Sequence, residues 1–202
     1  MRKQHPDKVI EIWAEDEARI GLQPVIRRQW SKVGSKPRAA GQTQYKWLYV
    51  YGFVEPASGK THWLLLPSVS LELMQIALDS FAKEYLQENK IIVMLWDQAG
   101  FHQTANLDIP DGVEIFPLPP YTPELQPAER LWPCLREAIA NRWIKSLDQL
   151  EAVLCNRIKK LIESPSTIQK LTGFKWILSP SLDVKGGENM YQKAEQKCTT
   201  CC

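Results

Sequence analysis

The sequence predicts an α/β fold in which one mixed sheet carries helices on its faces. Strand-like segments occur both before and after a segment with a helical apolar stripe. The 202 residues, 44% hydrophobic and 24% charged, suit one globular domain with a sizeable core. We find no internal repeat and no long linker, so a single sheet is the economical architecture.

The first predicted strand is Val9 to Asp16, VIEIWAED, in which apolar and acidic residues alternate. Alternation places Asp16 at the strand end, on the face that carries Ile12. Glu15 and Glu17 then point to the other face. The strand pattern therefore singles out Asp16 among its acidic neighbours.

A basic segment and a hairpin follow this strand. The basic segment, VIRRQWSKVGSKPR (residues 25–38), contains Gly and Pro, and we expect a strand and a turn there. Tyr45 to Glu55 and Thr61 to Leu66 are rich in aromatic and branched residues. The turn signal PASGK lies between them, which predicts a hairpin.

A helix and a buried strand come next. Ser70 is a candidate N-cap for a helix that extends through about Asn89. Ile91 to Trp96, IIVMLW, is an unbroken apolar run that ends in Asp97, which is typical of a strand buried on both faces. The apolar stripe of the helix consists of Leu71, Met74, Leu78, Phe81 and Tyr85.

The remaining predicted elements are one strand and two helices. The strand is Val113 to Leu118, and the helices are Pro127 to Ile144 and Ser146 to Ile162. The second helix begins with a sequence that resembles a capping box. Residues 181–202 lack apolar periodicity, so we expect a disordered tail after a folded domain of residues 1–180.

Charge is unevenly distributed along a chain whose net charge is +2. Residues 1–50 hold 10 Lys or Arg against 5 Asp or Glu, residues 51–130 hold 4 against 11, and residues 131–180 hold 8 against 4. An acidic middle between basic ends is compatible with a metal site inside a polyanion-binding protein. Chance clustering on solvated faces is the alternative.

Composition argues against membrane-spanning and secreted proteins. No apolar run reaches the ~20 residues that span a bilayer, and the N-terminal residues lack the apolar centre of a signal peptide. The five cysteines are an odd number without the spacing of a disulfide framework. A reducing cytoplasm is the expected compartment.

Three carboxylates are candidate metal ligands. Asp16 and Asp97 end two strands, and Glu129 lies in the first turn of a predicted helix. Converging carboxylates repel one another unless a cation compensates them, and Mg²⁺ takes oxygen ligands while it keeps waters. Two such ions about 3.5–4 Å apart can promote phosphodiester cleavage. Each residue alone is more often a turn former or a helix-dipole partner, but the three together indicate metal chemistry.

A proline-rich loop leads to the third carboxylate in LPPYTPELQPAERLW, residues 118–132. Pro119, Pro120 and Pro123 limit the conformations of this loop, and Pro127 suits the first helical position. The loop is therefore predicted to hold Glu129 at a fixed point.

Four segments carry a resemblance to a known family: WAEDEARIGL around Asp16, RRQWSKVGSKP at 27–37, LWDQAGFHQT around Asp97, and LPPYTPELQPAERLW around Glu129. Over roughly residues 9–145 the chain resembles the catalytic domain of bacterial insertion-sequence transposases of the mariner-related superfamily. The resemblance implies a ribonuclease H-like mixed sheet with helices on both faces. It also implies DNA cleavage followed by strand transfer, with two Mg²⁺ or Mn²⁺ ions as cofactors.

The resemblance assigns roles to residues of this chain. Asp16, Asp97 and Glu129 match the metal-binding catalytic triad of the family. His102 matches a catalytic histidine that lies near the substrate phosphate. The alternative for His102 is a loop histidine satisfied by the backbone.

DNA contacts are implied for four basic residues. Arg27, Arg28 and Lys32 lie with Trp30 in a basic and aromatic patch that could contact the DNA backbone. The alternative is a solvated strand face with Trp30 in the core, which we favour for the Trp. Arg130, next to Glu129, either approaches phosphate or faces solvent.

Three positions depart from the family pattern. The family has Asn where this chain has Gln126, and a branched apolar residue at Ala128. Because Gln caps helices less well, we expect Glu129 to be held less firmly. Pro133 lies inside the predicted helix and removes a backbone bond to the carbonyl of Glu129. Pro133 therefore predicts either a kink just after the turn that carries Glu129 or a transposase gene copy that is degenerating.

The resemblance also implies partners and a location. The partners are transposon ends and target DNA, bound by a homodimer that is associated with the nucleoid in the bacterial cytoplasm. Such transposases begin with helix-turn-helix domains, whereas Asp16 comes almost at once here. We therefore expect either a separately encoded helix-turn-helix part or a truncated gene. The alternative function is an inactive remnant that binds DNA without cleaving it, and a third is a structural domain whose acidic residues are surface accidents.

Overall fold

Five strands form one mixed sheet in the computed structural model, which describes residues 7–38, 41–97 and 106–178. The order across the sheet is β3-β2-β1-β4-β5. The β1–β2 and β2–β3 pairs are antiparallel, and the β1–β4 and β4–β5 pairs are parallel. The strands are β1 (Val9–Gly21), β2 (Trp47–Val54), β3 (Thr61–Leu66), β4 (Lys90–Trp96) and β5 (Val113–Pro117).

Helices cover both faces of this sheet, as predicted. On one face α1 packs with aromatic and aliphatic residues of the sheet, including Trp13, Phe53 and Met94. On the other face the remaining helices bury residues such as Ala14 and Leu95. The helices are α1 (Leu71–Tyr85), α2 (Leu131–Ile139), α3 (Leu147–Ile162), α4 (Pro165–Thr172) and α5 (Lys175–Leu178).

Helix α1 begins where the sequence predicts and ends earlier. The side chain of Ser70 accepts a hydrogen bond from the backbone N–H of Leu73, 3.3 Å away, which confirms the N-cap. The helix ends at Tyr85 because Leu86 is extended, with ψ 134°. No helix in the described ranges is both long enough and apolar enough to span a bilayer.

Strand β1 is longer than predicted, which changes the position of Asp16. Residues 9–14 of β1 pair with β4, and residues 14–21 pair with β2. Asp16 therefore lies inside the strand, opposite Gly52 of β2, and not at its end. The second half of β1 extends because β2 supplies hydrogen-bond partners as far as Gly21.

The strand predicted within residues 25–38 is wrong. The described residues between β1 and β2 form no strand, but the predicted turn is present, since the backbone N–H and the hydroxyl of Ser35 both donate to the Lys32 carbonyl. The hydrogen bonds described below, from this segment to the residues after α2, lie at its two ends. Asn141 exchanges two 3.0 Å hydrogen bonds with the backbone of Arg27, and the Gln42 side chain donates to the Ile144 carbonyl at 2.8 Å. Between these points Trp30 is fully exposed, so its placement in the core is also wrong. We call residues 28–38 the basic arm.

The helix predicted for residues 127–144 is shorter and has two parts. A 3-10 turn, Pro127–Arg130, leads directly into α2, and Asn141 has a φ of +55° after α2 ends. Pro133 is the third residue of α2, which begins at Leu131. The first four N–H groups of an α-helix have no acceptor within the helix, so the N–H that proline lacks is not needed at this position. The change from 3-10 to α-helix comes before Pro133. Pro133 itself therefore removes no hydrogen bond from α2.

Candidate active site

The register of the two central strands brings Asp16 and Asp97 to the same place. β1 and β4 run parallel, and the offset that pairs Ala14 with Leu95 would pair Asp16 with Asp97 two residues later. Ala14 and Leu95 both pack in the core beneath α2 and α3. Because alternate strand residues share a face, Asp16 and Asp97 are directed to that same side of the sheet.

The 3-10 turn that carries Glu129 is attached to β1 through Gln126. This side chain is 3% exposed, and its Nε2 donates to the Glu15 carbonyl at 2.8 Å. Its Oε1 accepts from the backbone N–H of Ala128 at 3.4 Å, which caps the turn. Gln126 therefore caps the turn and also reaches the β1 backbone, while the expectation that it holds Glu129 less firmly than Asn would stays a prediction.

A cavity of about 380 Å³ lies at this end of the sheet. The three predicted carboxylates, Asp16, Asp97 and Glu129, all line it. The predicted proline-rich loop forms a wall, where the Thr122 hydroxyl donates to the Pro119 carbonyl at 2.6 Å. The other lining residues are Leu118, Pro119, Pro120, Tyr121, Thr122, Pro123 and Gln126.

The electrostatics of the cavity centre on Asp16, which is 8% exposed. The pKa of its carboxyl is raised to about 7, mainly by burial and to a smaller extent by the charges of Glu129 and Glu17. The Trp132 indole donates a 2.8 Å hydrogen bond to this carboxylate, and that bond lowers its pKa. Excess negative charge in a buried site is the condition that a cation relieves.

The carboxylates fit a hard divalent cation by their chemistry, because all three present oxygen donors to one cavity. They do not stand as a compact cluster: within the described ranges, no three Asp, Glu, His or Cys side chains are grouped closely enough to hold a metal ion. Glu129 is exposed and Asp97 is partly buried. The arrangement is thus a set of separated donors around one space.

In the described part of the chain, none of the predicted DNA-contacting residues lines the cavity, although Arg130 directly follows Glu129, which does. Arg28 and Lys32 are exposed on the basic arm, and Arg27 at its base lies 3.7 Å from a carboxylate oxygen of Glu137. Arg130 is exposed, with its guanidinium 5.6 Å from the ring centre of Phe174. His102 falls outside the described residues, as does the tail of residues 181–202.

Two residues at the site were missed by the sequence reasoning. Trp132 contacts Asp16 although 116 positions separate them, and Gly52 lies beside the Trp132 ring. The available signal was a glycine inside an aromatic-rich strand, which often marks a close approach. The identity of the approaching group depends on tertiary packing.

Comparisons with known proteins identify a family and relatives of this chain. A family model described as DDE superfamily endonuclease matches residues 11–151. The uncharacterized protein y4pE/y4sA of Sinorhizobium fredii (strain NBRC 101917 / NGR234) is 34% identical over 131 residues, which cover 64% of this chain and 96% of that protein.

Solved structures of the Mos1 mariner transposase share the fold. The paired end complex with Mn aligns with a TM-score of 0.59 at 17% identity, over 88% of this chain and 57% of that chain. The strand transfer complex aligns with a TM-score of 0.51 at 18% identity, over 81% of this chain and 55% of that chain. The chain thus spans just over half the length of these relatives, and the predicted ribonuclease H-like fold is confirmed.

Proposed function

Because the chain belongs to the DDE superfamily of endonucleases, we propose that it is a transposase catalytic domain that cleaves DNA and transfers the cut strand to target DNA. The observation that carries this proposal is the shared cavity of Asp16, Asp97 and Glu129. The fold shared with the Mos1 paired end and strand transfer complexes supports it.

Asp16, Asp97 and Glu129 are the residues that would hold Mg²⁺ or Mn²⁺, with two ions as the proposed number. When bound, such ions promote formation of a nucleophile at neutral pH and stabilise charge on the leaving oxygen. The protein positions the donors: β1 and β4 fix the two aspartates, and the Gln126 side chain attaches the turn of Glu129 to β1. A Mos1 structure with Mn and another with Mg are consistent with either cation.

The basic arm and its base are the proposed DNA-backbone contacts. Residues 24–46 contain six Lys or Arg and no Asp or Glu, and Arg27, Arg28 and Lys32 are exposed. Cations on an exposed segment bind phosphates without sequence preference. Arg130 follows Glu129 directly and would meet phosphate beside the cavity. For His102 the proposed role near the substrate phosphate rests on the sequence resemblance.

The proposal extends to an assembly on DNA. A homodimer would join two transposon ends, in line with the paired end complex that Mos1 forms. Recognition of the ends would come from a helix-turn-helix part, which could be encoded separately. A nucleoid-associated location in the bacterial cytoplasm follows from this function.

Nicking of element-end DNA by the purified chain in Mn²⁺ tests the proposed function. We expect the wild type to nick the DNA, and Asp97→Ala to abolish nicking while the melting temperature is unchanged. Asp79→Ala, which removes an exposed carboxylate of α1, is the matched control and should nick normally. Equal nicking by Asp97→Ala refutes the assignment. DNA binding by the wild type without any nicking establishes the alternative, an inactive remnant.

A further inference from the structure

A buried hydrogen bond connects α2 to the centre of the sheet. The Trp132 indole Nε1–H donates to Oδ2 of Asp16 over 2.8 Å, and the two residues are 2% and 8% exposed. A hydrogen bond to a charged group is stronger than one between neutral groups, and it fixes the orientation of the carboxylate. The carboxylate has further lone pairs for other partners, since each oxygen accepts more than one bond.

The position of the Trp132 ring depends on Gly52. Gly52 lies opposite Asp16 in the β1–β2 pair and opposite Trp63 in the β2–β3 pair. A Cβ atom at position 52 would come within 2.8 Å of Cη2 and 3.3 Å of Cζ3 of Trp132. A glycine inside a strand is destabilising relative to alanine. Here the space that the glycine leaves is filled by the tryptophan ring.

Trp63 packs on the same ring and offers an internal comparison. Its ring centre lies 6.2 Å from that of Trp132, with an interplanar angle of 75°, which is an edge-to-face contact. Within the described part of the chain, the buried Nε1 of Trp63 has no hydrogen-bond partner. Two neighbouring tryptophans thus share one packing environment, and only Trp132 donates to the candidate cation ligand.

We propose that Trp132 is a positioning residue of the nuclease site. Its indole N–H holds the Asp16 carboxylate, through Oδ2, in the orientation that binds the divalent cation, and its ring occupies the space left by Gly52. This inference rests on the proposed function. It assigns Trp132 a role through Asp16 and no contact with DNA. A residue that orients a metal ligand changes metal affinity by roughly 10- to 100-fold when it is lost.

Mn²⁺ binding to the full chain, measured by electron paramagnetic resonance without DNA, tests the inference. Trp132→Phe keeps an aromatic ring and removes the indole N–H, and we expect it to weaken Mn²⁺ binding by about 10-fold. Trp63→Phe is the matched control, because it removes an N–H that makes no hydrogen bond within the described residues. We expect Trp63→Phe to bind Mn²⁺ as the wild type does. Equal affinities of Trp132→Phe and Trp63→Phe overturn the inference.

Gly52→Ala tests the same geometry without changing either tryptophan. The added methyl group displaces the Trp132 ring, so we expect Mn²⁺ affinity to fall by a similar factor. In the Trp132→Phe background the smaller ring lacks the outer atoms of Trp132 that the methyl group would meet, and the remaining close contact is Cζ3 of Trp63 at 3.3 Å. Trp63 makes no hydrogen bond to Asp16, so Gly52→Ala should then cause little further loss of Mn²⁺ affinity. Full additivity of the two substitutions overturns the inference. If Trp132→Phe is too unstable to measure alone, an unchanged Mn²⁺ affinity of Gly52→Ala overturns it.

The proposed function and this inference fail in different ways. If the wild type binds no Mn²⁺ and nicks no DNA, the proposed function fails and the inference falls with it. If the wild type binds Mn²⁺ and Trp132→Phe binds it equally well, only the positioning role is refuted. Recovery of nicking by Trp132→Phe at raised Mn²⁺ concentration, with the maximal rate restored, supports positioning over a purely structural role.

Discussion

At the scale of single residues, Asp16 is a carboxyl group whose burial conflicts with its charge. Its pKa is raised from 3.8 to about 7, by burial first and by the Glu129 charge as well. The folded state therefore binds a proton more tightly than the unfolded state does. Between about pH 4 and pH 7 the contribution of Asp16 to the free energy of unfolding falls as pH rises.

This sign gives a prediction for the metal-free protein. Asp16→Asn keeps an acceptor for the Trp132 indole and removes the charge, so we expect it to raise the free energy of unfolding at pH 8. At about 1.4 kcal/mol per pKa unit the gain is at most ~4 kcal/mol, and it should vanish near pH 4. Urea denaturation in a chelating buffer at both pH values measures it. Glu151→Gln, which neutralises an exposed carboxylate of α3, should show no such pH dependence. A gain that is equal at both pH values contradicts the account of Asp16.

The three acidic residues selected from the sequence line one cavity, but the side chains that support them were not predicted. Strand alternation predicted that Asp16 lies on one face of the sheet and that Glu15 and Glu17 lie on the other. Its face neighbours Ala14 and Ala18 are buried against α2, and Asp16 lines the cavity on that side, as predicted. The Trp132 contact was not predictable, because a hydrogen bond between residues 116 positions apart follows from tertiary packing. The backbone bond from Gln126 to Glu15 escaped prediction for the same reason.

At the scale of elements, the 3-10 turn of Glu129 is held by a buried side chain that bridges to β1. Gln126→Ala leaves the Glu15 carbonyl and the Ala128 N–H without this partner, so we expect a loss of about 2–3 kcal/mol in the free energy of unfolding. Gln126→Asn can still cap the turn, so its free energy of unfolding should fall by less than that of Gln126→Ala. Chemical denaturation measures both variants.

A second glutamine provides the matched control for this prediction. Gln169 also joins two segments, since its Nε2 donates to the Ala57 carbonyl at 2.6 Å, but its side chain is exposed. Water can replace its bond, and Gln169→Ala should cost less than about 1 kcal/mol. If Gln126→Ala costs no more than Gln169→Ala, the bridge does not hold the turn.

Elements with strong apolar patterns were predicted well, and elements without them were not. The hairpin, α1, β4, β5 and α3 follow from periodicity and caps, and the structure confirms each of them. The strand expected in residues 25–38 is absent because Arg27, Arg28 and Lys32 are exposed and no neighbouring strand pairs with the segment. The helices α4 and α5 were missed because they are only eight and four residues long, which is too short for a helical period to show in the sequence.

At the scale of the whole molecule, the acidic cavity and the basic arm belong to separate parts of one surface. The arm is attached near Asn141 and Gln42, while the carboxylates lie at the end of β4. If the proposed roles hold, this separation keeps the basic side chains from neutralising the proposed metal ligands. The sequence showed the charge segregation along the chain, and the fold determines where each charge lies.

The DNA-binding role of the arm predicts a change in salt dependence. The double variant Arg28→Ser/Lys32→Ser should lower the slope of log affinity against log salt concentration by about 2 for duplex DNA, at roughly 0.9 per phosphate contact. Fluorescence anisotropy over a range of salt concentrations measures this slope. Lys159→Ser/Lys160→Ser, which removes the same charge from the exposed end of α3, should leave the slope unchanged. Equal slopes for the two double variants would contradict a specific role of the arm.

The central claim is that Asp16, Asp97 and Glu129 together hold a divalent cation. Anomalous diffraction from crystals grown with Mn²⁺ measures this directly. The account predicts anomalous peaks for two ions in the cavity, with a carboxylate oxygen of each of the three residues at about 2.1 Å from one or both ions. A well-ordered cavity without such a peak, or a peak bound by other residues alone, would contradict the account.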